Sequence, residues 1–335
     1  MAGILHQQIN LKKTAPDTYS ASWHQDWTVA STLHGGCVAA VIYHAAARHL
    51  TTDPTLVAQN QPDILNLHIE FLRACERLDS TVTVSVLKLG AASCTLQLQL
   101  SQKGKIKVVA LATSTSFDRP LGPTVPTGWT LLPPPDPKPD FDRVFANKPD
   151  ENWIPVQAGG EVIPLTERIL AVDPRAGFRT EGICDVWNGF IGEERMDATY
   201  IALMTDIIPS MTDTLMRNGG LYDAHRFWQG ARQWAEANPG IPAVFRNSLA
   251  ELAKQASTFN TTVVLDMEFK KRLPKEGLRF VLTRTAARTL QDGRLDLDIT
   301  ICDEEMGLVC KAHQLILVLE AQRKFRGGKN TEQKL

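Results

Sequence analysis

Residues 195–210 read RMDATYIALMTDIIPS, and this stretch predicts the helix on which the fold is built. Its apolar residues recur at three- and four-residue spacing, which predicts a helix with a wide apolar face. They are Met196, Tyr200, Leu203, Met204, Ile207 and Ile208. Asp206 lies one position from this face, and a carboxylate so close to a buried stripe needs hydrogen-bond partners or must give up its charge. It is therefore either a well-partnered structural acid or a catalytic one.

The bulk composition is that of a globular protein that could hold two domains. The chain has 335 residues, 43% of them hydrophobic and 22% charged. A formal net charge of -1 gives no overall attraction to nucleic acid or to an anionic membrane. Any charged partner must therefore meet a local patch.

The cysteines and the chain ends bear on compartment and cofactors. Six cysteines occur without CxxC spacing, and the histidines form no HxxxH cluster, so we predict no zinc site, no disulfide framework and no cofactor. Reduced thiols favour a cytoplasmic protein. We expect neither a signal peptide nor a membrane span. The last two residues, Lys334-Leu335, match only part of the peroxisomal Ser-Lys-Leu signal.

The first half predicts a strand, a buried helix and a sheet. Residues 18–31 alternate like a strand, and residues 37–50 form an alanine-rich helix preceded by a glycine pair. Free N–H groups at that helix start could hold a carbonyl or a developing oxyanion. From 63 to 117 the pattern changes to period two, which predicts about four antiparallel strands.

A proline-rich segment divides the chain. Eight of the nineteen prolines fall in 119–139, where neither helix nor sheet can continue. We predict an N-terminal domain at 1–118, a linker at 119–140, a C-terminal domain at 141–325 and a tail at 326–335.

The second half repeats the element order of the first. The sequence HIEFLR at 68–73 corresponds to DMEFKK at 266–271, which supports an internal duplication. An extra segment at 217–257 looks helical and carries Trp228 and Trp234. It either packs on the domain edge or lines an acyl pocket.

A buried helix wrapped by an antiparallel sheet and duplicated in one chain resembles the α+β double hotdog fold. The resemblance covers nearly all of 18–320, apart from the linker and the insertion. The first half is similar to acyl-CoA thioesterase-like proteins in four segments. They are His34-Gly35-Gly36, HIEFLRA, Leu87-Lys88-Leu89-Gly90 and Leu100-Ser101-Gln102.

The second half resembles thioesterases of the bacterial thioesterase II type. In that family an Asp on the second helix, a Thr opening the next strand and a Gln on the last strand hold the attacking water. The resemblance assigns these roles to Asp206 in MTDIIPS, to Thr262 (or Thr261) in NTTVVLDMEF, and to Gln314 in MGLVCKAHQ. Asp206 would act as base on water, and no covalent nucleophile is required.

Two departures from the family pattern stand out. The insertion separates Asp206 from Thr262 by 56 positions (262 minus 206). Leu265-Asp266 also stands where the family often has Asp-His.

Several further residues are candidates for substrate binding. His34 before Gly35 and Gly36 either contacts substrate or is a structural histidine, and Trp228 is the candidate for the acyl pocket. A basic run is either a solvated strand end or a site for the phosphates of coenzyme A or for an acidic carrier protein. The run is Lys270, Lys271 and Arg272, with Arg284 and Arg288 on the next strand.

The predicted function is hydrolysis of an acyl thioester, carried by coenzyme A or a carrier protein, in lipid or polyketide metabolism. The alternatives are a non-hydrolytic acyl-pantetheine enzyme, such as a dehydratase, isomerase or cyclase, and a non-catalytic acyl-binding protein. The first-half position matching Asp206 falls near Ala45–Ala47, without an acid, so we expect one site per chain. Unpaired sheet edges favour a homo-oligomer.

Overall fold

The computed structural model describes residues 4–160, 162–211, 214–215, 223–245, 254 and 256–321. The first half contains α1 (Ile4–Gln8), α2 (Gly35–Thr52), α3 (Pro54–Gln59), a 3-10 helix (Gln25–Trp27), β1 (Asn10–Ala15), β2 (Thr18–Ser22), β3 (Thr28–Val29), β4 (Thr32–Leu33), β5 (Asp63–Phe71), β6 (Ser80–Lys88), β7 (Cys94–Gln102) and β8 (Lys105–Thr115).

The second half contains α4 (Phe141–Phe145), α5 (Ala198–Met211), α6 (Ala224–Ala237), a 3-10 helix (Pro164–Arg168), β9 (Trp153–Ala158), β10 (Ile169–Pro174), β11 (Ile183–Phe190), β12 (Ala243–Phe245), β13 (Thr258–Phe269), β14 (Phe280–Gln291), β15 (Arg294–Cys302) and β16 (Leu308–Glu320).

One 14-stranded sheet runs through both halves. Its order is β1-β2-β6-β7-β8-β5-β13-β16-β15-β14-β11-β10-β9-β12, and β3 and β4 form a separate two-stranded sheet. The order β2-β6-β7-β8-β5 in the first half is repeated in the second as β11-β14-β15-β16-β13. The duplication predicted from the sequence is therefore present in the strand order.

The two halves join where β5 pairs antiparallel with β13. His68 lies opposite Asp266, and Leu67 and Asn66 lie opposite Met267 and Glu268. The similar segments HIEF and DMEF thus lie side by side, related by a local two-fold axis that passes through the 68–266 pair. The axis relates each position in β5 to the position 198 higher in β13.

Helices α2 and α5 pack against each other inside the curved sheet. Both are buried on nearly all sides; in α5, Tyr200–Ile208 are all buried, including Thr205 and Asp206. A helix enclosed by a sheet on one side and a second helix on the other has no polar face to offer solvent. Asp206 is therefore buried although it lies beside the apolar stripe predicted from the sequence.

The proline-rich linker packs on the second half. Residues 116–140 form no helix or strand, yet Leu131 is buried in a second core with Phe141, Trp153 and Phe280. The Trp153 indole N–H donates to the Pro137 carbonyl at 2.6 Å. The linker is thus fixed to the sheet, and the predicted domain boundaries stay predictions.

Two parts of the sequence differ from expectation. The strand predicted over 18–31 ends at Ser22, because Trp27 turns inward and donates its indole N–H to the Gln8 amide oxygen at 2.8 Å. The sheet also gains β9, β10 and β12, which the sequence did not reveal.

The insertion is described only in part. Residues 227–237 lie in α6, as expected, and α6 packs on β9 and β12 in a third core. Most of the second helical stretch, 246–257, and the tail, 326–335, lie outside the described residues. Within the described residues no helix has the length and apolarity needed to cross a membrane.

Candidate active site

A cavity of about 710 Å³ lies where the two halves meet. Its walls come from the start of α2, the end of α5, and the ends of β5, β13 and β16. The polar or ionisable side chains around it include His34, Arg73, Asp206, Ser210, Asn260, Thr261, Thr262 and Gln314. Apolar residues from both halves line the rest, among them Val29, Leu33, Val38, Phe71, Val162, Ile163, Phe259, Leu317 and Leu319.

The three residues predicted to hold water converge in this cavity. The Gln314 amide nitrogen donates to Asp206 Oδ1 at 2.9 Å, and the Thr262 hydroxyl donates to the same oxygen at 3.2 Å. The Thr262 hydroxyl oxygen lies 3.5 Å from Gln314 Oε1. Both donors are used on one carboxylate oxygen, so Oδ2 is the oxygen left to act on a ligand.

A proline in α5 explains why Gln314 is held so firmly. Pro209 has no N–H and cannot donate to the carbonyl of Thr205, four residues earlier. The Gln314 amide nitrogen donates to that carbonyl instead, at 2.8 Å. Both amide hydrogens of Gln314 are therefore committed, one to the Thr205 carbonyl and one to Asp206. The free acceptor is Oε1.

A β-bulge orients Thr262. The pairing of β13 with β16 shifts between Thr262, opposite Ile316, and Val264, opposite Leu315. A bulge places one extra residue in a strand and redirects the neighbouring side chains. Thr262 bonds to Asp206, whereas Thr261 lies on the cavity wall and is exposed. Of the two threonines considered, the structure brings Thr262 to the acid.

The glycine pair brings the start of α2 up against Asp206. A Cβ on Gly35 would lie 2.7 Å from Asp206 Oδ2, and a Cβ on Gly36 would lie 2.7 Å from the Leu203 carbonyl oxygen. Glycine at both positions therefore permits the close approach. The start of α2, which is the positive end of its dipole, therefore faces the Asp206 carboxylate.

His34 connects this helix start to α5. Its Nδ1 accepts from the Gly36 N–H at 3.1 Å, which makes it the N-cap of α2. Because Nδ1 accepts, Nε2 carries the proton and donates to the Ser210 hydroxyl at 3.0 Å. Ser210 donates in turn to the Asp206 carbonyl at 2.8 Å. His34 is therefore a structural cap that also lies 3.4 Å from Asp206 Oδ2.

The cysteines near the cavity are not activated thiolates. Burial, with a smaller effect from the Asp206 charge, raises the pKa of Cys37 well above its ordinary value. Burial also raises the pKa of Cys75, on the cavity wall, to about 11. Thiols with raised pKa values are poor nucleophiles at neutral pH, so these two do not suit covalent catalysis.

The basic run predicted from the sequence does not reach the cavity. Lys270 pairs with Glu268, Lys271 pairs with Asp303, and Arg272 pairs with Asp63 and Asp118. These cations are neutralised within the chain and do not line the cavity.

The two arginines considered with the run, Arg284 and Arg288, are also held by acids of this chain. Buried Arg284 makes two 2.6 Å hydrogen bonds to Asp185, and Arg288 pairs with Asp298. Neither is placed to meet a ligand in the cavity.

Trp228 is likewise away from the cavity. Its indole N–H donates to the Pro174 carbonyl at 2.8 Å, and its ring packs on Gly177. Trp234 donates to the Ile241 carbonyl at 3.1 Å on the exposed side of α6. Of the two alternatives for the insertion, these contacts fit a helix that packs on the domain edge. Trp228 does not line the cavity.

Sequence reasoning missed two polar residues at the cavity. Arg73 is the only lysine or arginine among the described residues that line it. It ends the HIEFLR motif, which supported the duplication and the family resemblance but was not considered for substrate binding. Ser210 follows Asp206 by four positions, the spacing that brings two helical side chains to one face.

The corresponding place in the first half lacks these groups. By the two-fold relation, Ile64 stands where the second half has Thr262. Ala112, opposite Leu67, stands where Gln314 lies opposite Leu265. Isoleucine and alanine side chains cannot hydrogen-bond to water. Of the two corresponding positions in the duplicated halves, only the one in the second half therefore carries the polar cluster of Asp206, Thr262 and Gln314.

Comparison with protein families matches both halves of the chain. Residues 23–116 match the acyl-CoA thioesterase N-terminal domain, and residues 133–318 match the acyl-CoA thioesterase C-terminal domain. A relative from Talaromyces wortmannii, the thioesterase-like protein TwmA, is 23% identical over 327 residues, covering 91% of this chain and 89% of that protein.

Solved structures agree on the fold. The acyl-CoA thioesterase II of Mycobacterium marinum superposes with a TM-score of 0.58 at 16% identity, over 98% of this chain and 100% of that one. A hot dog protein of unknown function from Alicyclobacillus acidocaldarius gives a TM-score of 0.65 at 12% identity, over 95% and 98%. The predicted fold class, an α+β double hotdog, is confirmed.

Proposed function

Because the chain belongs to the acyl-CoA thioesterase family, we propose that it hydrolyses an acyl thioester with a water molecule activated by Asp206. The observation that carries this proposal is the shared hydrogen bonding of Thr262 and Gln314 to Asp206 Oδ1, in a residue that lines the cavity and whose Oδ2 lies against the start of α2. Such an arrangement fixes a carboxylate in one orientation and leaves one oxygen for chemistry.

In the proposed reaction, Asp206 Oδ2 takes a proton as water attacks the thioester carbonyl carbon. The C–S bond then breaks, and the thiolate leaves with that proton, so thioester and water give a carboxylic acid and a thiol. His34 Nδ1 lies 3.4 Å from Oδ2 but already accepts from the Gly36 N–H, so this proton stays on Oδ2 until the thiolate takes it. A general base of this kind contributes about 10²–10⁴ in rate.

The developing oxyanion would bind at the start of α2. The Gly36 N–H is already taken by His34, whereas the Gly35 N–H belongs to the first turn, where no intrahelical acceptor exists. We assign the Gly35 N–H as the oxyanion donor, supported by the helix dipole.

Arg73 is the group that would meet an anionic donor. It is exposed, and one guanidinium nitrogen donates to the Ile106 carbonyl at 2.9 Å, which leaves other N–H groups for a phosphate. We propose that Arg73, rather than the basic run at 270–272, binds the phosphate-bearing part of an acyl-CoA.

The proposal is tested by incubating the protein with a panel of acyl-CoA substrates and a thiol reagent. We expect release of free coenzyme A from at least one substrate. In Asp206→Asn the rate should fall about 10²–10⁴-fold, while binding of the same acyl-CoA changes little.

The matched control is Glu268→Gln, which changes an exposed acid further along β13 that pairs with Lys270. This variant should keep wild-type turnover. Binding of acyl-CoA without thiol release would instead indicate a binding protein. Activity of Asp206→Asn within a few fold of the wild type would remove Asp206 as the base.

A further inference from the structure

A second cluster of ligating side chains lies at the other end of α2, away from the cavity. Asp17 is in the turn between β1 and β2, His49 is in the last turn of α2, and Asp53 joins α2 to α3. One ligand atom from each lies within 4.8 Å of the other two. Three separate elements therefore present two carboxylates and an imidazole to one point.

The buried histidine distinguishes this cluster from an ordinary group of surface acids. His49 is 0% exposed, and its Nε2 has no hydrogen-bond partner. The nearest carboxylate oxygen, Asp17 Oδ1, is 3.8 Å from Nε2, which is too far for a hydrogen bond. A buried polar atom without a partner is costly, so this nitrogen indicates a missing partner.

The other ring nitrogen of His49 already has a partner. His49 Nδ1 lies 3.0 Å from the Tyr19 hydroxyl, and one of the two donates to the other. In the tautomer in which Nδ1 donates to Tyr19, Nε2 is unprotonated, which is the form that binds a metal ion.

The geometry allows one ion between these groups. With metal–ligand bonds of about 2.1 Å, atoms 3.8 Å apart subtend an angle of about 130° at the ion. At a tetrahedral angle the ligand atoms would lie about 3.4 Å apart, so atoms as much as 4.8 Å apart must approach by up to about 1.4 Å. The Asp17 side chain is 64% exposed and is therefore able to move.

Asp53 keeps one oxygen for this role. Its Oδ1 caps α3 by accepting from the N–H groups of Thr55 and Leu56, which leaves Oδ2. The positive charges nearby are Lys13 and Arg48, and the Arg48 guanidinium is held by the Leu11 carbonyl at 2.6 Å.

We propose that Asp17, His49 and Asp53 bind one divalent transition-metal ion of the Zn²⁺ type, with water completing its coordination. One imidazole and two carboxylates suit Zn²⁺ better than Mg²⁺, which prefers oxygen ligands only. The ion fastens the turn of the edge hairpin β1–β2 to the corner between α2 and α3. Its role is structural and independent of thioester hydrolysis.

Titration calorimetry of the full chain with ZnCl₂ tests this site. We expect saturable binding of one ion per chain, weakened about tenfold or more in Asp17→Asn, because one of three ligands is lost. Asp17 is exposed, so this variant should fold. Zn²⁺ should also raise the melting temperature of the wild type but not that of Asp17→Asn.

The matched control is Asp298→Asn in the other described His and Asp group, Asp296, Asp298 and His313. There the histidine is partly exposed and Asp298 already pairs with Arg288. This variant should bind Zn²⁺ like the wild type. Absence of one-to-one binding, unchanged binding in Asp17→Asn, or an equal loss in Asp298→Asn would each overturn the proposal.

Discussion

At the level of single residues, the site is a carboxylate with one oxygen fixed and one oxygen available. Because Pro209 has no N–H, the Thr205 carbonyl accepts from Gln314 instead. The same amide group of Gln314 donates to Asp206 Oδ1, and the Thr262 hydroxyl is a second donor to that oxygen. The family resemblance identified all three side chains from the sequence. It could not show that both amide hydrogens of Gln314 are donated to α5, to the Thr205 carbonyl and to Asp206, because this depends on the contact between α5 and β16.

His34 offers a residue-level test, since it caps α2 and also approaches Asp206. His34→Asn keeps an N-cap side chain but loses the link to Ser210 and the imidazole beside Oδ2. We expect its kcat to fall about tenfold with little change in melting temperature. His34→Ala should in addition lose about 0.5–2 kcal/mol of stability, since the cap is removed. Equal kcat values for His34→Asn and the wild type would show that the histidine is only a cap.

The glycine pair gives a second residue-level test, because the two positions face different atoms. In Gly35→Ala the new Cβ would push against Asp206 Oδ2, so activity should fall about 10²-fold with a smaller loss of stability. In Gly36→Ala it would meet the Leu203 backbone, so stability should fall by about 1–3 kcal/mol. Thermal melting and steady-state kinetics on both variants separate these effects. If Gly35→Ala lost mainly stability and Gly36→Ala lost mainly activity, the placement of Asp206 Oδ2 beside Gly35 would be contradicted.

At the level of elements, α1 docks on the start of α5 through an ion pair. His6 Nε2 lies 2.5 Å from Asp197 Oδ2, and the Leu5 N–H donates to the Tyr200 hydroxyl at 2.8 Å. The hydrogen bond with Asp197 raises the pKa of His6 above its ordinary value of 6.5. Burial is the largest single effect on Asp197 and acts to raise its pKa. The hydrogen bond and charge of His6, together with the N–H groups of Tyr200 and Thr199, outweigh burial and lower the pKa.

This pair predicts a pH-dependent contribution to stability. Since the folded pKa of His6 is raised, its contribution is complete below pH 6.5 and is lost as the pH rises through the folded pKa. We expect the melting temperature to fall more between pH 6 and pH 8 in the wild type than in His6→Ala. If the melting temperatures of the two proteins changed in parallel between pH 6 and pH 8, the His6–Asp197 pair would make no pH-dependent contribution to stability.

The elements also show where sequence patterns stop being informative. Period-two alternation located β5–β8 and β13–β16, and helical spacing located α2 and α5, because each of these segments has one consistent core-facing side. The pattern failed at residues 18–31, where Trp27 is buried through a turn, and at β9, β10 and β12, which extend the sheet edge. The sequence also suggested Trp228 for the acyl pocket. Aromatic residues on one side of a helix indicate that this side is buried, but they do not indicate which part of the protein it packs against.

At the level of the whole molecule, duplication has produced two similar halves with different chemistry. The two-fold relation places Ile64 and Ala112 where the second half has Thr262 and Gln314. The first half instead supplies the start of α2, with His34 and the glycine pair. The sequence predicted one site per chain for a related reason, the lack of an acid in the first helix, but the cavity between the halves could be seen only once the fold was assembled.

In the proposed mechanism, water held at Asp206 attacks the thioester directly, without a covalent acyl-enzyme. Single turnover in ¹⁸O-labelled water, followed by mass spectrometry of the released acid and of the Asp206-containing peptide, tests this step. We predict one ¹⁸O atom in the acid and none in the peptide. Label in Asp206 would instead show that its carboxylate had attacked the thioester to form an anhydride, and the direct role of water would be contradicted.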